Sequence, residues 1–213
     1  MTNIIGIDEA GRGCVIGPLV IAGVSVNRGM ISWLISIGVR DSKRLTRERR
    51  EELYDEIISS GIKYVVEKIP PSKIDVYVRR KVKYEKLNKL EAIYMAEVIN
   101  RLDGDVAIID ACGSNINVFY DQVERRLRKK VRLIIAHKAD SLYPAVSTAS
   151  IIAKVERDRE IEALKDKYGD FGSGYPSDRR TIEFIKSKVR EGKLPPIIRK
   201  SWRTVRELKI RFS

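Results

Sequence analysis

The stretch from residue 3 to residue 13 constrains the fold more than any other part of the chain. An apolar run, Ile4 to Ile7, is followed at once by the acids Asp8 and Glu9 and then by a Gly-Arg-Gly turn at 11–13. The run predicts a short strand that is buried on both faces and ends in two carboxylates. Carboxylates beside bare backbone N–H groups and an arginine suit a metal-dependent phosphodiester site. Taken alone, a strand that ends in solvated acids explains the stretch equally well.

Two later strands repeat the pattern of an apolar run with an acid at or just past its end. One is Val106 to Asp110, and Asp140 follows shortly after the other, Val131 to Ala136. In sheets that contain parallel β-α units, a site forms at the ends of the central strands. Carboxylates that converge there repel one another unless one is protonated or a cation bridges them. The candidate catalytic acids are therefore Asp8, Glu9, Asp110 and Asp140.

These acids predict a site for divalent metal ions, because all-oxygen ligation suits Mg²⁺ or Mn²⁺ and not zinc. Two such ions about 4 Å apart can activate a water and stabilise the leaving oxygen of a phosphoryl displacement. Adjacent residues of a strand face opposite sides of a sheet. Asp8 and Glu9 therefore reach one site only if the glycine turn lets Glu9 leave strand geometry. Otherwise Glu9 is the acid to remove from the site.

The order of the predicted elements indicates an α/β fold with a mixed five-stranded sheet and flanking helices. Because only the Gly-Arg-Gly turn separates the first two strands, they are expected to pair antiparallel. The later strands alternate with helices, which predicts parallel β-α units. The predicted strands are 4–7, 13–26, 62–69, 106–110 and 131–136. One predicted helix begins after the N-cap Thr46. The others cover 73–80, 87–102, 118–129, 149–168 and 181–190.

The basic character of the chain indicates a polyanionic partner. The net charge is +13 and the sequence pI is about 9.8. Nucleic acid fits this excess better than a membrane, since no apolar run approaches the roughly 20 residues of a spanning helix. The N-terminus also lacks the layout of a signal peptide. Cys14 and Cys112 lie far apart without metal-binding spacing. They predict buried thiols in a reducing compartment, and hence a cytoplasmic protein, with a disulfide as the minor alternative.

The C-terminal tail is set apart by Leu194-Pro195-Pro196, which is the one plausible linker in the chain. This divides the chain into a main domain, 1–194, and a basic helical extension, 195–213. From residue 197 onward the tail carries six basic residues against Glu207. We expect the tail to grip a duplex, so that truncation after Pro196 would weaken substrate binding.

Asp158 and His137 allow narrower statements. Asp158 lies three residues after Val155, on the apolar stripe of the predicted helix 149–168, where a carboxylate needs a partner. It either supports the metal-binding acids from behind or pairs with a nearby lysine or arginine, and the resemblance described below favours the first interpretation. His137 is the only histidine. A nuclease that works through two histidines and a cyclic phosphate is therefore excluded.

Several short motifs occur in one order along the chain. They are Gly6 to Gly13, Asp41-Ser42-Lys43, Ile109-Asp110, Lys138-Ala139-Asp140, Ala149 to Val155 with Arg157-Asp158, and Gly172 to Asp178. Together they resemble ribonuclease HII, the type 2 ribonuclease H, of the archaeal kind. The resemblance extends from about Ile4 to Trp202 and covers nearly the whole chain.

The resemblance implies a ribonuclease H-like fold, with 1–194 as the catalytic domain. It implies hydrolysis of the RNA strand of RNA–DNA hybrids and cutting 5′ of single ribonucleotides in duplex DNA, with 3′-hydroxyl and 5′-phosphate products. The same resemblance implies that Mg²⁺ or Mn²⁺ is bound by Asp8, Glu9, Asp110 and Asp140, with Asp158 in support. The substrate-binding residues that it implies are Gly11, Arg12, Gly13, Ser42, Lys43, Lys138 and Tyr175.

Two other functions remain open at this point. A non-catalytic basic nucleic-acid-binding module accounts for the charge but not for the acids at three strand ends. A metal-dependent DNA nuclease of the same superfamily shares those acids, and only a substrate test separates it. Some relatives end in a sliding-clamp-binding peptide. The tail Leu208 to Ser213 lacks the glutamine and the paired aromatic residues of that peptide, which puts clamp binding in doubt. We expect a monomer.

Overall fold

The computed structural model describes residues 2–39, 45–82, 86–111, 113 and 115–212. Its five strands are β1 (Ile4–Ala10), β2 (Leu19–Val26), β3 (Lys63–Ile69), β4 (Val106–Asp110) and β5 (Arg132–Ala136). They form one sheet in the order β3-β2-β1-β4-β5. β2 pairs antiparallel with β1 and β3, while β4 runs parallel to β1 and β5. The predicted mixed sheet, with its antiparallel meander and parallel units, is confirmed.

Nine helices lie within the described residues. They are α1 (Arg28–Ser36), α2 (Arg47–Ser59), α3 (Pro71–Val78), α4 (Leu87–Arg101), α5 (Ile116–Glu124), α6 (Ala139–Leu142), α7 (Pro144–Tyr168), α8 (Arg179–Arg190) and α9 (Arg203–Phe212). Thr46 caps α2 as predicted, since its side chain accepts a hydrogen bond from the N–H of Arg49. None of these helices is long and apolar enough to cross a membrane, as far as the described residues show.

Several predicted boundaries are wrong. β1 continues through Asp8 and Glu9 to Ala10, and β2 begins at Leu19 and not at Gly13. The connection between them, 11–18, is longer than a tight turn, and α1 was not predicted. The long helix α7 begins at Pro144, with proline in its first turn, and not at the predicted residue 149. α5 ends five residues before the predicted Lys129.

The sheet separates two layers of the core, and the alternation of β1 decides which side chains enter each layer. Ile5 and Ile7 pack on the side of α4, against residues such as Met95 and Ile99. Gly6 faces α7 on the other side, because a Cβ built on it would lie 2.2 Å from the backbone carbon of Ala145. The backbones of β1 and α7 can approach this closely only because residue 6 has no side chain.

We expect Gly6→Ala to lower the free energy of unfolding by at least about 2 kcal/mol, because α7 must move away from β1. The matched control is Gly29→Ala. Gly29 lies in α1, and a Cβ there meets only the side-chain oxygen of Asn27, at 3.4 Å. This control should be neutral or gain up to about 1 kcal/mol. Denaturant unfolding of both variants measures the difference. Equal stability of the two would contradict the close packing described here.

The C-terminal segment packs against the rest of the chain. Ile198, Val205 and Leu208 belong to a buried cluster that also contains Ile16 and Phe171. Arg199 is fully buried, and its guanidinium donates hydrogen bonds to the carbonyl groups of residues 12, 17 and 18. Truncation after Pro196 would remove these core contacts, so it cannot test duplex binding alone. The division into 1–194 and 195–213 stays a prediction.

Candidate active site

Three aspartates meet at one edge of the sheet. Asp8 lies near the end of β1, Asp110 ends β4, and Asp140 lies in the first turn of α6. One carboxylate oxygen from each lies within 4.8 Å of the corresponding oxygens of the other two. Asp8 and Asp140 are buried and Asp110 is partly buried. The structure thus brings together three of the four predicted acids in a space that one cation could share.

Strand register explains why Asp8 and Asp110 meet. β1 and β4 are parallel neighbours in which Ile7 pairs with Ile109, so the next residue of each strand reaches the same edge. Ile7 and Ile109 both pack on the α4 side of the sheet. Since side chains alternate along a strand, Asp8 and Asp110 both point to the opposite, α7 side.

Asp140 is brought to this edge by a sharp change of chain direction after β5. Lys138 has φ 57°, which makes it the one non-glycine residue with positive φ among the residues described. This left-handed residue immediately precedes α6, and the N–H of Ala139 donates a hydrogen bond to Asp110, 3.0 Å away. The backbone at 138–139 therefore fixes both the end of β4 and the position of Asp140.

The pKa of Asp8 reflects its burial beside other carboxylates. The pKa of Asp8 is raised well above its ordinary value, first by burial, then by the charge of Glu9, and further by Asp110. A hydrogen bond with the side chain of Ser150, on α7, acts in the opposite direction. A buried carboxylate with a raised pKa, beside the carboxylates of Asp110 and Asp140, offers the oxygen donors that Mg²⁺ or Mn²⁺ prefers. The residues present therefore fit a divalent metal.

Glu9 lies in regular strand geometry and pairs with Ile21 in the ladder between β1 and β2. Its side chain nevertheless hydrogen-bonds with that of Asp8 at the strand end and raises the pKa of Asp8. Glu9 is partly buried and lies outside the group of three aspartates that meet within 4.8 Å. Its role as a metal ligand stays a prediction.

Asp158 also lies outside the group of three aspartates. Its carboxylate contacts Arg157 at 3.0 Å and Arg50 at 3.7 Å. These contacts match the alternative interpretation, in which a helix acid pairs with nearby arginines. The favoured supporting role behind the metal-binding acids stays a prediction.

The Gly11–Gly13 turn is held by hydrogen bonds with side chains from other parts of the chain. Gly11 has φ +84°, and a Cβ on it would lie 2.9 Å from the carbonyl oxygen of Pro18. The guanidinium of Arg12 donates to Glu91 Oε1 at 2.8 Å and to Asn88 Oδ1 at 2.6 Å. The carbonyl of Arg12 accepts from Arg199 at 3.0 Å. The side chain and the backbone of Arg12 are thus held by different parts of the chain.

Glu91 is the most unusual of these partners. It lies on α4, is fully buried, and its Oε2 atom has no hydrogen-bond partner among the residues that the structure describes. Burial raises the pKa of Glu91 to about 7, although Arg12 and Arg199 act to lower it. Its ionisation near neutral pH therefore depends on the arginine that it holds.

Tyr175 lies beside the glycine turn. A Cβ on Gly13 would lie 3.9 Å from the Tyr175 ring, and the guanidinium of Arg157 lies 4.8 Å from the centre of that ring. Arg157 is buried and also donates to Cys14 Sγ and to the carbonyl of Ser173. Burial raises the pKa of Tyr175 to about 12, so the phenol is neutral in any ordinary buffer. The structure thus brings Gly13 and Tyr175 together.

Of the remaining residues singled out in the sequence, some lie within the part of the chain that the structure describes and some do not. Lys138 is exposed and lies two residues before Asp140 in the sequence. Cys14 is a buried free thiol. Ser42, Lys43 and Cys112 lie outside the described residues.

Sequence reasoning missed the residues that support the site: Asn88, Glu91, Ser150, Arg157 and Arg199. A signal existed for one of them. Glu91 lies four residues after Leu87 and three before Tyr94, on the apolar stripe of α4, where a carboxylate requires a partner. Arg199 and Ser150 gave no comparable signal, because their partners are distant in sequence.

The mixed sheet, with carboxylates at the ends of its two central parallel strands, places the chain among the proteins with a ribonuclease H-like fold. The family model described as Ribonuclease HII matches residues 5–205. The chain therefore belongs to the ribonuclease HII family, and it is an endonuclease of the hydrolase class.

Individual relatives agree with this assignment over nearly the full length. The ribonuclease HII of Cenarchaeum symbiosum is 47% identical over 204 residues, which is 95% of this chain and 96% of the relative. The ribonuclease H2 structure from Pyrococcus horikoshii OT3 has a TM-score of 0.88 and 42% identity, covering 99% of this chain and 98% of that one. The ribonuclease HII from Archaeoglobus fulgidus, solved as a complex with PCNA, has a TM-score of 0.85 and 42% identity over 95% and 96%.

Proposed function

We propose that this chain hydrolyses the RNA strand of RNA–DNA hybrids and cuts 5′ of single ribonucleotides embedded in duplex DNA. The products are a 3′-hydroxyl and a 5′-phosphate. The observation that carries this proposal is the meeting of Asp8, Asp110 and Asp140 at the sheet edge, in a chain of the ribonuclease HII family. The net charge of +13 supports a duplex as the substrate.

Asp8, Asp110 and Asp140 would hold the metal, with Glu9 beside them. Bound Mg²⁺ or Mn²⁺ supplies Lewis-acid chemistry, which lowers the pKa of a water and stabilises charge on a phosphoryl group. The protein contributes the arrangement of the ligands. Asp110 is oriented by the N–H of Ala139 and Asp8 by the hydroxyl of Ser150, so neither carboxylate has to reorganise to bind a cation.

We assign recognition of the ribose sugar to the Gly11–Gly13 turn and Tyr175. The 2′-hydroxyl distinguishes a ribonucleotide from a deoxyribonucleotide. Gly11 and Gly13 have no Cβ, so their N–H and C=O groups can come close enough to bond that hydroxyl. The Tyr175 ring, 36% exposed, lies beside this turn and can stack on the next deoxyribose, where a 2′-hydroxyl would crowd it. This arrangement favours the junction between RNA and DNA.

Clamp binding and the oligomeric state remain outside this proposal. The A. fulgidus relative was solved with PCNA. In this chain Leu208 is buried against the body of the protein, and the tail lacks a glutamine and paired aromatics. The monomeric state stays an expectation.

The test is cleavage of matched duplexes that contain no, one or many ribonucleotides, each with Mg²⁺ and with Mn²⁺. We expect the ribonucleotide-containing duplexes to be cut and the all-DNA duplex to stay intact. Robust cutting of the all-DNA duplex would instead support a metal-dependent DNA nuclease. Binding without cutting under any metal would support the non-catalytic module.

Tyr175→Ala should lower kcat/KM for a single-ribonucleotide duplex by at least about tenfold, or about 1.4 kcal/mol of transition-state stabilisation. The reason is the loss of the ring that stacks beyond the ribonucleotide. Tyr175→Phe is the matched control, because it keeps the ring and removes only the hydroxyl, and it should retain most activity. A Tyr175→Ala enzyme as active as wild type on this duplex would remove the ring from the recognition step.

A further inference from the structure

Arg157 is a buried cation that the proposed cleavage chemistry does not use. It lies on α7, and only 7% of the residue is exposed. Its guanidinium pairs with the neighbouring carboxylate of Asp158 at 3.0 Å. Its Nε atom is buried and has no hydrogen-bond partner in the part of the chain that the structure describes. Because burying a charged group is costly, the groups that Arg157 contacts indicate what its burial achieves.

Arg157 lies between the two groups that we assign to recognition of the sugar. On one side, a Cβ built on Gly11 would lie 3.4 Å from Cγ of Arg157, so the arginine packs against the glycine turn. On the other side, the guanidinium donates to the carbonyl of Ser173 and lies 4.8 Å from the centre of the Tyr175 ring. A planar guanidinium can make both contacts at once, because it donates hydrogen bonds within its plane and stacks on a ring through its face.

Cys14 adds a second contact between Arg157 and the turn. Cys14 directly follows Gly13 in the sequence, and its N–H donates to the carbonyl of Gly11. The guanidinium of Arg157 donates to the Sγ atom of Cys14 at 3.1 Å. Arg157 is therefore bonded to the turn side of the site and to the loop that carries Tyr175.

The same face of α7 also reaches the metal-binding carboxylates. Ser150 hydrogen-bonds with Asp8, and it lies seven residues before Arg157 on this helix. Residues seven apart lie on one face of a helix, two turns or about 10 Å apart along its axis. One helix therefore sets the distance between a carboxylate that would hold the metal and the ring that we assign to the sugar.

We propose that Arg157 is a positioning residue, which fixes the Tyr175 ring against the Gly11–Gly13 turn and so produces a preference for a ribonucleotide followed by a deoxyribonucleotide. This inference rests on the proposed function. Arg157 itself touches no substrate in this role. With the arginine in place, the ring occupies the space that a 2′-hydroxyl on the next sugar would need. Without it, the ring can turn away, and both kinds of next sugar are accepted more equally.

The test compares a duplex that contains a single ribonucleotide with one that contains two in a row. For both, kcat/KM is measured for the cut 5′ of the first ribonucleotide, and the sugar preference is the ratio of the first value to the second. We expect Arg157→Met to lower this ratio by at least about fivefold. Arg157→Lys keeps the charge and should retain part of the ratio. A loss of folded enzyme lowers both values equally, so it leaves the ratio unchanged.

The matched control is Arg50→Met. Arg50 lies on α2, pairs with the same carboxylate of Asp158 at 3.7 Å, and donates to the carbonyl of Leu45. Its replacement removes an arginine from Asp158 but not the one that faces Tyr175, so the ratio should stay at the wild-type value. An unchanged ratio in Arg157→Met, or an equal fall in Arg50→Met, would overturn the proposal.

The double variant Arg157→Met with Tyr175→Ala completes the test. Its ratio should be no lower than that of Tyr175→Ala alone, because no ring is left to position. A further fall would show that Arg157 acts on the sugar by another route and would overturn the proposal. A wild-type ratio in Tyr175→Ala would instead contradict the proposed role of the ring, and the role of Arg157 would fall with it. Loss of the ratio in Tyr175→Ala but not in Arg157→Met would overturn the positioning role alone.

Discussion

Asp110→Asn is expected to lower the rate of ribonucleotide cleavage by at least about 100-fold, or about 2.7 kcal/mol of transition-state stabilisation. Asp8→Asn and Asp140→Asn should have similar effects. In each case an amide replaces one of the three carboxylates that meet within 4.8 Å, so the site loses a charge that a divalent metal requires. The measurement is single-turnover cleavage of a one-ribonucleotide duplex at saturating metal.

The fold of these variants should stay intact, and the metal-free protein should become more stable. The raised pKa of Asp8 means that the folded state holds its proton more tightly than the unfolded state does. The stability that this group contributes is therefore present below about pH 4 and is lost as the pH rises through the folded-state pKa. Asparagine never ionises, so Asp8→Asn should exceed wild type in unfolding free energy at about pH 8 and differ less at about pH 4.

Asp166→Asn provides the control for this series, because Asp166 is an exposed acid on α7. It should change neither cleavage nor metal-free stability by a measurable amount. An unchanged cleavage rate in Asp8→Asn, Asp110→Asn or Asp140→Asn would remove that residue from the site. Loss of stability in metal-free Asp8→Asn would contradict the repulsion inferred from its pKa.

The sheet could be predicted from the sequence because its strands are short apolar runs bounded by turns or acids. The sequence also showed that Asp8 and Asp110 each come at the end of an apolar strand, and this predicted that they meet. The position of Asp140 followed from its place just past β5, although its helix α6 and the left-handed Lys138 were not visible. Local patterns therefore predicted the residues that end on the sheet edge.

The start of α7 could not be predicted, for a physical reason. Every residue from Ala145 to Ala153 is buried, so this part of the helix contacts protein all round and shows no polar face. In the connection 11–18, by contrast, residues 13–18 were predicted as part of a strand that in fact begins at Leu19. The apolar residues of this connection resemble a strand, yet they pair with Gly174 and Ile197 from distant parts of the chain. Contacts between segments so far apart in sequence leave no periodic signal.

The pair of Arg12 and Glu91 gives the other large expected effect. Arg12→Met leaves the fully buried Glu91 carboxylate without its 2.8 Å partner. Removing one member of such a pair costs about 3–5 kcal/mol of stability, since an uncompensated charge stays buried. The pKa of Glu91 is about 7 against an ordinary 4.5, so the stability it contributes is already lost as the pH rises through this range. Without Arg12 the pKa should rise further, and the destabilisation should be larger at about pH 8 than at about pH 5.

The double variant Arg12→Met with Glu91→Leu separates structure from function. With both charges gone, no unpaired carboxylate stays buried at position 91, and most of the lost stability should return. Cleavage of a single-ribonucleotide duplex should stay low, because Arg12 no longer anchors the turn whose Gly11 and Gly13 approach the sugar. Urea unfolding at both pH values and kcat/KM for the three proteins form one double-mutant cycle. If cleavage returned together with stability, Arg12 would serve only to neutralise Glu91. If Arg12→Met were as stable as wild type at about pH 8, Glu91 would not be the buried charge described here.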